Sequence, residues 1–599
     1  MLGISPWVYP MNSKKLLVLI GVALFSISAG LLPNRVQAQS LFASSSYYFI
    51  LILFFLWLTR IVSFYRVRFK ERFLRHYLAL LLSVVLTMLI FISSPPRFKV
   101  LADETNLIGT SMMMHQDRTT VLPLEGISTD YRSSNYLTIV DKRPILFPFL
   151  VSVVHSLSGY APTNGFILNF VVSCGILFLF YMTTIRLLPI PYGWLAVLLA
   201  AGMPIYMINV TSSGFEALNL FYLLFYFLFI LEVFLCGADV KRIELLLLST
   251  LLLAQCRYES AIFVITAAIC VLPMISKSKF SSQMSWLTCI MPLFLVPVLW
   301  QRKLFFGRNE FNKIGHETFE IAENIFSLKN LWSNIDDNIF VLLGINPHYG
   351  YTPYLSITAI IGLYLLIRTY IRKEPAEIAP KLFFSAILST VLLFLIISSY
   401  FWGNFGLKMD NRLSLVFLPF LLWPAVYTLY RLQKRHLNRF STVITFIVII
   451  HLIIYWSYGS QQRLVNSLSL QYEYNRVMKF LGPRYPKSGS TLIITEQPNL
   501  YLIQNYSSMR FNRNQKILDV LSTPNDVDHI IALQKIEKNF GRIAENSILK
   551  GPFEMKPLEV FSISTELEMR ISSCKMIDAS RRISPNGSEK QTYIEPPAR

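Results

Sequence analysis

The sequence predicts an all-α polytopic membrane protein with about 13 transmembrane helices and a small α/β domain near its C-terminal end. Three observations carry that expectation. Among 599 residues 53% are hydrophobic and only 15% charged, with a mean hydropathy of +0.47, whereas a soluble domain carries roughly 25% charged residues. Too few polar groups remain to cover a water-facing surface, so lipid has to be part of the solvent. The apolar residues also gather in runs close to the ~20 residues that a helix needs to cross a bilayer. Finally, the Lys and Arg residues behind the formal charge of +20 sit in short loops between those runs. Cytoplasmic charge is kept there in a membrane protein, which disfavours a nucleic-acid reading of the basic composition.

In chain order the runs are Leu16–Pro33, Tyr47–Val62, Tyr77–Ser94, Asn164–Leu187, Tyr192–Val210, Leu218–Cys236 and Ile243–Cys256. They continue with Ala261–Ile275, Trp286–Gln301, Thr352–Ile371, Leu382–Phe401, Leu413–Tyr430 and Thr442–Tyr458. The first run, preceded by Lys14-Lys15 and followed by Val36-Gln37-Ala38, also fits a cleavable signal peptide. Its length favours a retained helix. One set of alternate loops is rich in cations: Lys14-Lys15, Arg60 to Arg75, Lys241-Arg242, Lys277 and Lys279, Arg368 to Lys381, and Arg431 to Arg439. The opposite short loops hold little beyond Arg35, Arg257, Lys408 and Arg412. The richer set is expected inside, which puts the N-terminus in the cytoplasm and the C-terminal region outside.

Residues 1–76 then form extra N-terminal helices with a basic cytoplasmic loop, and 77–458 the main transmembrane domain. Two long outer loops, 95–163 and 302–351, belong to it, and residues 459–599 make an outer domain. There Leu470–Leu481 reads as a helix, Thr491–Ile494 as a strand, and the last ~20 residues as disordered. Five of six cysteines lie in or beside apolar runs and Cys574 in the polar region. No spacing suggests disulfides or a metal site.

Chemistry is expected at the outer edge. The first outer loop opens on Leu101-Ala102-Asp103-Glu104. A carboxylate there can take the proton of an acceptor hydroxyl, or the pair can simply complement a helix dipole. The loop closes on Asp141-Lys142-Arg143-Pro144-Ile145-Leu146-Phe147-Pro148, a basic pair ahead of an apolar stretch suited to the membrane interface. Cations at headgroup depth fit a lipid phosphate, for which Arg offers a two-pronged fork. Ordinary interfacial anchoring is the alternative.

The order of these features resembles the polytopic GT-C glycosyltransferases. It is most similar to the dolichyl-phosphate-mannose protein mannosyltransferases and the lipid A aminoarabinose transferases. Gln255-Cys256-Arg257-Tyr258-Glu259 resembles that family's Thr-Arg-Tyr-Glu-Gly segment. Asp410-Asn411-Arg412-Leu413 with Pro419 resembles its Asp-Arg-Tyr-x-x-Pro, and Thr495 to Tyr501 a Pro-containing turn of its outer domain. The resemblance spans roughly 77–520. Departures are Ile145 where the family usually has a second Pro, Leu413 where it has Tyr, and two additional helices at the start.

The resemblance implies transfer of a sugar, with inversion, from a polyprenyl-phosphate donor to a glycan, lipid or protein acceptor outside a bacterial cytoplasmic membrane. It implies Asp103 as the base, Glu104 as its neighbour, and Arg143 with Lys142 at the donor phosphate. Arg257 and Arg412 are further phosphate candidates. His348 and Tyr349 (with His316) lie in the second outer loop, where acceptor contacts belong. No cofactor is expected and no metal ligand set is visible. Two other readings stay open: a lipid-linked sugar transporter or flippase, and a non-catalytic scaffold of envelope assembly. Transporters place ionisable groups near mid-membrane, and the only acids inside these runs or at their margins, such as Glu232 and Glu259, lie near helix ends.

The orientation is tested by reporter fusions. Fusions after Gln462 and within 110–130 are expected to be active outside, and those within 64–72 and 432–438 inside. Two of the four on the wrong side would reverse the orientation.

Overall fold

The computed structural model of the chain describes residues 13–306, 326–435, 450–451, 454 and 468–576. Not described within these are 67–68, 100, 130–131, 238, 278–284, 346–349, 373–378, 408–409, 488–489, 514–516, 518–526, 551–552 and 565. The chain divides into two compact units, one of residues up to Pro123 and Thr138–Gln471, the other of Leu124–Leu137 and Tyr472 onward.

The first unit is helical. Its opening helices are α1 (Ser13–Leu31), α2 (Arg35–Arg66), α3 (Phe69–Ser93), α4 (Leu101–Gln116), α5 (Leu146–Ser158) and α6 (Asn164–Leu187). Next come α7 (Ile190–Ala201), α8 (Pro204–Val210), α9 (Glu216–Cys236), α10 (Val240–Ala254) and α11 (Ile262–Lys277). Further helices cover Trp286–Ile290, Val296–Phe306, Leu328–Leu342, Pro353–Ile371, Ala379–Ser399 and Leu418–Arg435, the last preceded by a 3₁₀ turn over Asp410–Phe417. The first twelve expected runs all fall on these helices; the thirteenth lies almost wholly outside the described residues. Among the described residues seven helical stretches are long and apolar enough to span a bilayer, or eight with one bent pair included. This is a multi-pass membrane protein.

The bent pair corrects the expectation of one helix over Tyr192–Val210. α7 and α8 meet at 70°. Pro204 has no amide hydrogen to donate, and its ring clashes with the preceding turn. A second correction concerns α5, expected in the interface plane. Its residues Leu146–Ser152 and His155 are buried within the unit, and it packs on α4 and α6. The helix expected over Tyr47–Val62 begins earlier, at Arg35, and takes in Val36-Gln37-Ala38. These residues lie at the start of α2, which Asn34 and Gln37 cap reciprocally at 2.9 Å each.

Ion pairs form two layers at opposite ends of the helices. α9 carries Glu216 at one end and Glu232 sixteen residues later, about 24 Å away along the axis. Around Glu232 stand Arg186 (2.5 Å) and Arg242 (3.9 Å), and nearby on α10 Glu244 meets Arg60 at 3.1 Å. The Glu216 end holds the candidate site.

The second unit contains a mixed sheet of strands β1 (Val121–Thr129), β2 (Arg132–Val140), β3 (Thr491–Ile494), β4 (Ser507–Met509), β5 (His529–Glu537), β6 (Arg542–Ile543), β7 (Phe553–Ser562) and β8 (Leu567–Met576). Their order is β2-β1-β4-β3-β5-β8-β7, with β6 on β5. β3 is parallel to both β4 and β5, and β5, β8 and β7 run antiparallel. Leu492, Ile494, Met509 and Ala532 form its core with Ile127 from β1. Cys574, expected in a polar stretch, lies in that core as well. Residues 124–137, expected with the transmembrane domain, therefore belong to the second unit.

Within the first unit, helix Pro353–Ile371 packs on helix Leu418–Arg435 at a glycine. A Cβ on Gly362 would fall 2.0 Å from the Pro424 carbonyl oxygen, so only a residue without one allows this approach. Gly362→Ala should cost about 1–3 kcal/mol and lower the unfolding temperature in detergent. Gly21→Ala, which meets nothing within 4 Å, should not. Equal effects would remove the close-approach argument.

Candidate active site

The site is assembled from five separate stretches of the first unit. Asp103 and Glu104 occupy the first turn of α4, where carboxylates complement the helix dipole. Successive helical residues diverge by about 100°, and the two acids separate accordingly. Glu104 is buried. Its Oε1 accepts from the Lys99 amide and its Oε2 from the Ser213 amide, both at 3.0 Å. It ties the start of α4 to the loop between α8 and α9. Asp103 faces the other way, with a side chain 27% exposed. Its Oδ1 accepts from Arg143 Nη2 and its Oδ2 from Arg412 Nη2.

Arg143 lies in the hook between β2 and α5. Pro144 disfavours helix at the residue before it and the chain bends at Lys142 and Arg143, while Gln301 Nε2 donates to the Lys142 carbonyl (2.9 Å) and the Leu146 amide to the Gln255 carbonyl (3.2 Å). The guanidinium of Arg143 also grips Asp141, at 2.9 and 3.0 Å. Lys142 diverges, with its ammonium 5.7 Å from the Trp402 ring centroid.

Arg412, in the 3₁₀ turn before helix Leu418–Arg435, continues the chain of charges. Its Nη1 lies 3.2 Å from Glu216 Oε1. The same oxygen is 3.5 Å from Arg257 Nη1. Arg257 in turn donates to Glu259 at 3.3 and 3.2 Å and lies over the Phe215 ring at 4.9 Å. The order is Asp141, Arg143, Asp103, Arg412, Glu216, Arg257, Glu259: four acids alternating with three arginines. Burial pushes the Asp103 carboxyl up, but the charges and hydrogen bonds of Arg412 and Arg143 overcome this and hold it well below the usual carboxylate range.

The structure thus brings together Asp103, Arg143, Arg412 and Arg257, places Glu104 beside them in a bracing position, and turns Lys142 away. His316, His348 and Tyr349 lie outside the described residues. Sequence reasoning missed Glu216, Asp141 as a partner, and Lys99. Lys99 donates from Nζ to Thr211 at 2.9 Å, and burial brings its ammonium down to about 8 against the pull of Glu104. The available signal for Glu216 was an acid in the first turn of an apolar helix, after the small polar run Thr211–Gly214. Among the described residues no cluster of His, Cys, Asp and Glu has the form of a metal site.

A second polar cluster fixes the helices that carry these residues. Asn164 Nδ2 donates to His155 Nδ1 and to the Gly159 carbonyl, both at 2.8 Å. The proton of a neutral imidazole is then on Nε2, which donates to Ser111 Oγ at 3.0 Å; Ser111 gives its own hydrogen to the Ile108 carbonyl at 2.7 Å. Ser, His and Asn are the members of a nucleophilic triad, yet here the protons run away from an activated serine. The relay is a clasp joining α4, α5 and α6.

No protein-family profile matches the chain, and no curated protein does. Among solved structures it is similar to ArnT from Cupriavidus metallidurans bound to undecaprenyl phosphate, at 10% identity and a TM-score of 0.46, over 82% of this chain and 97% of that one. It is also similar to the archaeal oligosaccharyltransferase AglB from Archaeoglobus fulgidus, in complex with an inhibitory peptide and a dolichol-phosphate. There the identity is 10%, the TM-score 0.42, and the coverage 80% and 75%. At these values the functional reading rests on the site's own residues.

The clasp has a pH signature. Burial, with His115 as a lesser cause, pulls the His155 imidazole from 6.5 down to about 3. The unfolded chain therefore binds the proton first. Stability from a neutral His155 is fully present above about 6.5 and is lost as pH falls towards 3. The unfolding temperature in detergent should drop more steeply between pH 6.5 and 4.5 for the wild type than for His155→Gln. Parallel slopes would show that His155 does not titrate in this way.

Proposed function

We propose that this chain is a membrane glycosyltransferase of GT-C architecture, which transfers a sugar from a polyprenyl-phosphate donor to an acceptor hydroxyl outside the cytoplasm. The observation that carries the reading is Asp103, a half-buried carboxylate at the end of a helical membrane unit, flanked by Arg143 and Arg412. The order of motifs in the sequence supports it independently.

The chemistry follows from what each group can do. A hydroxyl is almost wholly protonated at neutral pH, and a positioned carboxylate speeds its attack by about 10²–10⁴-fold. Asp103 is ionised at any working pH, so it is always able to accept a proton. The same arginines weaken it as a base. A donor phosphate competes for their forks, because bidentate Arg–phosphate pairing matches Arg–carboxylate pairing in geometry. As the phosphate draws the guanidiniums towards itself, Asp103 regains basicity beside the reacting carbon. The polyprenyl phosphate leaves with its charge held by Arg143 and Arg412, so no acid catalyst is required. One displacement inverts the anomeric carbon.

Arg257 fits a supporting place better than a phosphate contact, since both edges of its guanidinium already face carboxylates. Glu104 fits a brace. A transport reading gains nothing from the ion pairs among the described residues, which gather at helix ends.

The reading is tested by mass spectrometry of surface glycans and glycolipids from cells with and without the protein. One glycoform should disappear on deletion and return with the wild-type chain. Asp103→Asn keeps the shape but cannot take the proton, so turnover should fall about 10²-fold or more at unchanged insertion. Glu104→Gln should lower the unfolding temperature more than turnover. Wild-type turnover by an inserted Asp103→Asn would end the general-base assignment.

A further inference from the structure

Beside the phosphate reading, on which this inference rests, the structure assigns Glu216 as the positioning residue of Arg412. Glu216 opens α9 with a side chain only 3% exposed. One oxygen, Oε1, faces two guanidiniums, Arg412 Nη1 at 3.2 Å and Arg257 Nη1 at 3.5 Å. Arg257 is immobilised on its far edge by Glu259 and on its face by Phe215. Glu216 is thereby fixed from behind and ion-pairs with one amino group of Arg412 without a hydrogen bond, while the other amino group donates to Asp103.

Besides Glu216, Arg412 has the hydrogen bond to Asp103 and lies within electrostatic reach of Asp410. Its Nε is buried and makes no hydrogen bond among the described residues. A guanidinium binds phosphate by a planar fork, so its orientation matters as much as its charge. Without Glu216 the fork keeps its charge and loses one of the two carboxylates that aim it.

The glycine at 214 supplies a test that leaves every charge in place. A Cβ there would stand 2.3 Å from Glu216 Oε2, 3.3 Å from Ser212 Oγ and 3.5 Å from Glu216 Cδ. Gly214→Ala must displace the carboxylate, which is the end of a flexible side chain, while Ser212 Oγ at 3.3 Å gives by a few tenths of an ångström. Glu216→Gln is the complementary change, keeping shape and removing charge. If Glu216 merely dilutes the positive potential, its neutralisation should tighten anion binding. If it aims Arg412, binding should weaken despite the gain in positive charge.

The measurement is the Kd of undecaprenyl phosphate for the full chain in nanodiscs, with unfolding temperature recorded beside it. Gly214→Ala and Glu216→Gln should each weaken binding at least about tenfold. Neither should add to the loss caused by Arg412→Ala in a double-mutant cycle, because both act through that residue. Tighter binding by Glu216→Gln, or losses that add to that of Arg412→Ala, would overturn the assignment. Should Gly214→Ala fail to insert, the direction of the Glu216→Gln effect decides. If Arg143→Ala and Arg412→Ala both bind the lipid phosphate like the wild type, the donor-site reading itself fails and the role of Glu216 goes with it.

Discussion

Pairing of charges at a low-dielectric edge governs the first unit. Taking an ion out of water costs of order several kcal/mol even after relaxation, and a partner recovers this only in good geometry. The seven alternating groups from Asp141 to Glu259 meet that condition together, since each interior member contacts two of opposite sign. Their backbone supports are thereby brought to one place. The first turn of α4, the hook before α5, the start of α9, the segment after α10 and the 3₁₀ turn at 410–417 are far apart in sequence and are joined by these contacts. Such a chain is fragile in a particular way. Deleting an end member costs one neighbour a partner, deleting Asp103 or Arg412 costs two neighbours one partner each, and deleting Arg143 or Arg257 leaves an end acid without its arginine.

Much of this was legible in the sequence, for a physical reason. A span must be long and apolar, so runs of that kind located helices directly. Charges that interrupt apolar segments are costly, so Asp103, Arg143, Arg257 and Arg412 stood out. The less legible features depend on direction rather than composition. Residues 103 and 104 are equivalent as letters, and only the helical turn sends one to the arginines and the other to backbone amides. Lys142 and Arg143 likewise diverge, at a bend in the chain. Glu216 was hidden because scanning for apolar runs began that helix at Leu218. The break between α7 and α8 was signalled by Pro204 but masked by uniformly apolar neighbours. Strands β1 and β2 neighbour one another locally, but what places them in the sheet is the non-local pairing of β1 with β4, and a loop of that length carries no periodicity that fixes that partner.

The same economy of charge explains the far end of the helices. Glu232 and Glu244 are buried acids, and each is met by an arginine from another helix. Between the two layers α9 presents Leu, Phe, Tyr and Ile to its neighbours. A helix with one buried carboxylate near each end cannot slide along its axis by a turn without leaving both acids unpaired. α9 is therefore pinned in depth as well as in orientation, and the depth of Glu216 fixes that of Arg412.

The strand order of the second unit has a consequence for synthesis. β1 and β2 end by Val140, whereas their neighbour β4 begins at Ser507 and β3 at Thr491. At roughly 5–20 residues per second, the hairpin waits some 20 to 70 s for the strand that pairs with it. During that time its free edge is open to any other extended chain, and each intervening apolar segment has to enter the membrane before the edge can close. A fragment beginning at residue 472 would carry the complementary defect, since β4 would lack its neighbour. The sheet joins strands made before most of the membrane helices to strands made after them, so its closure follows the insertion of nearly everything between.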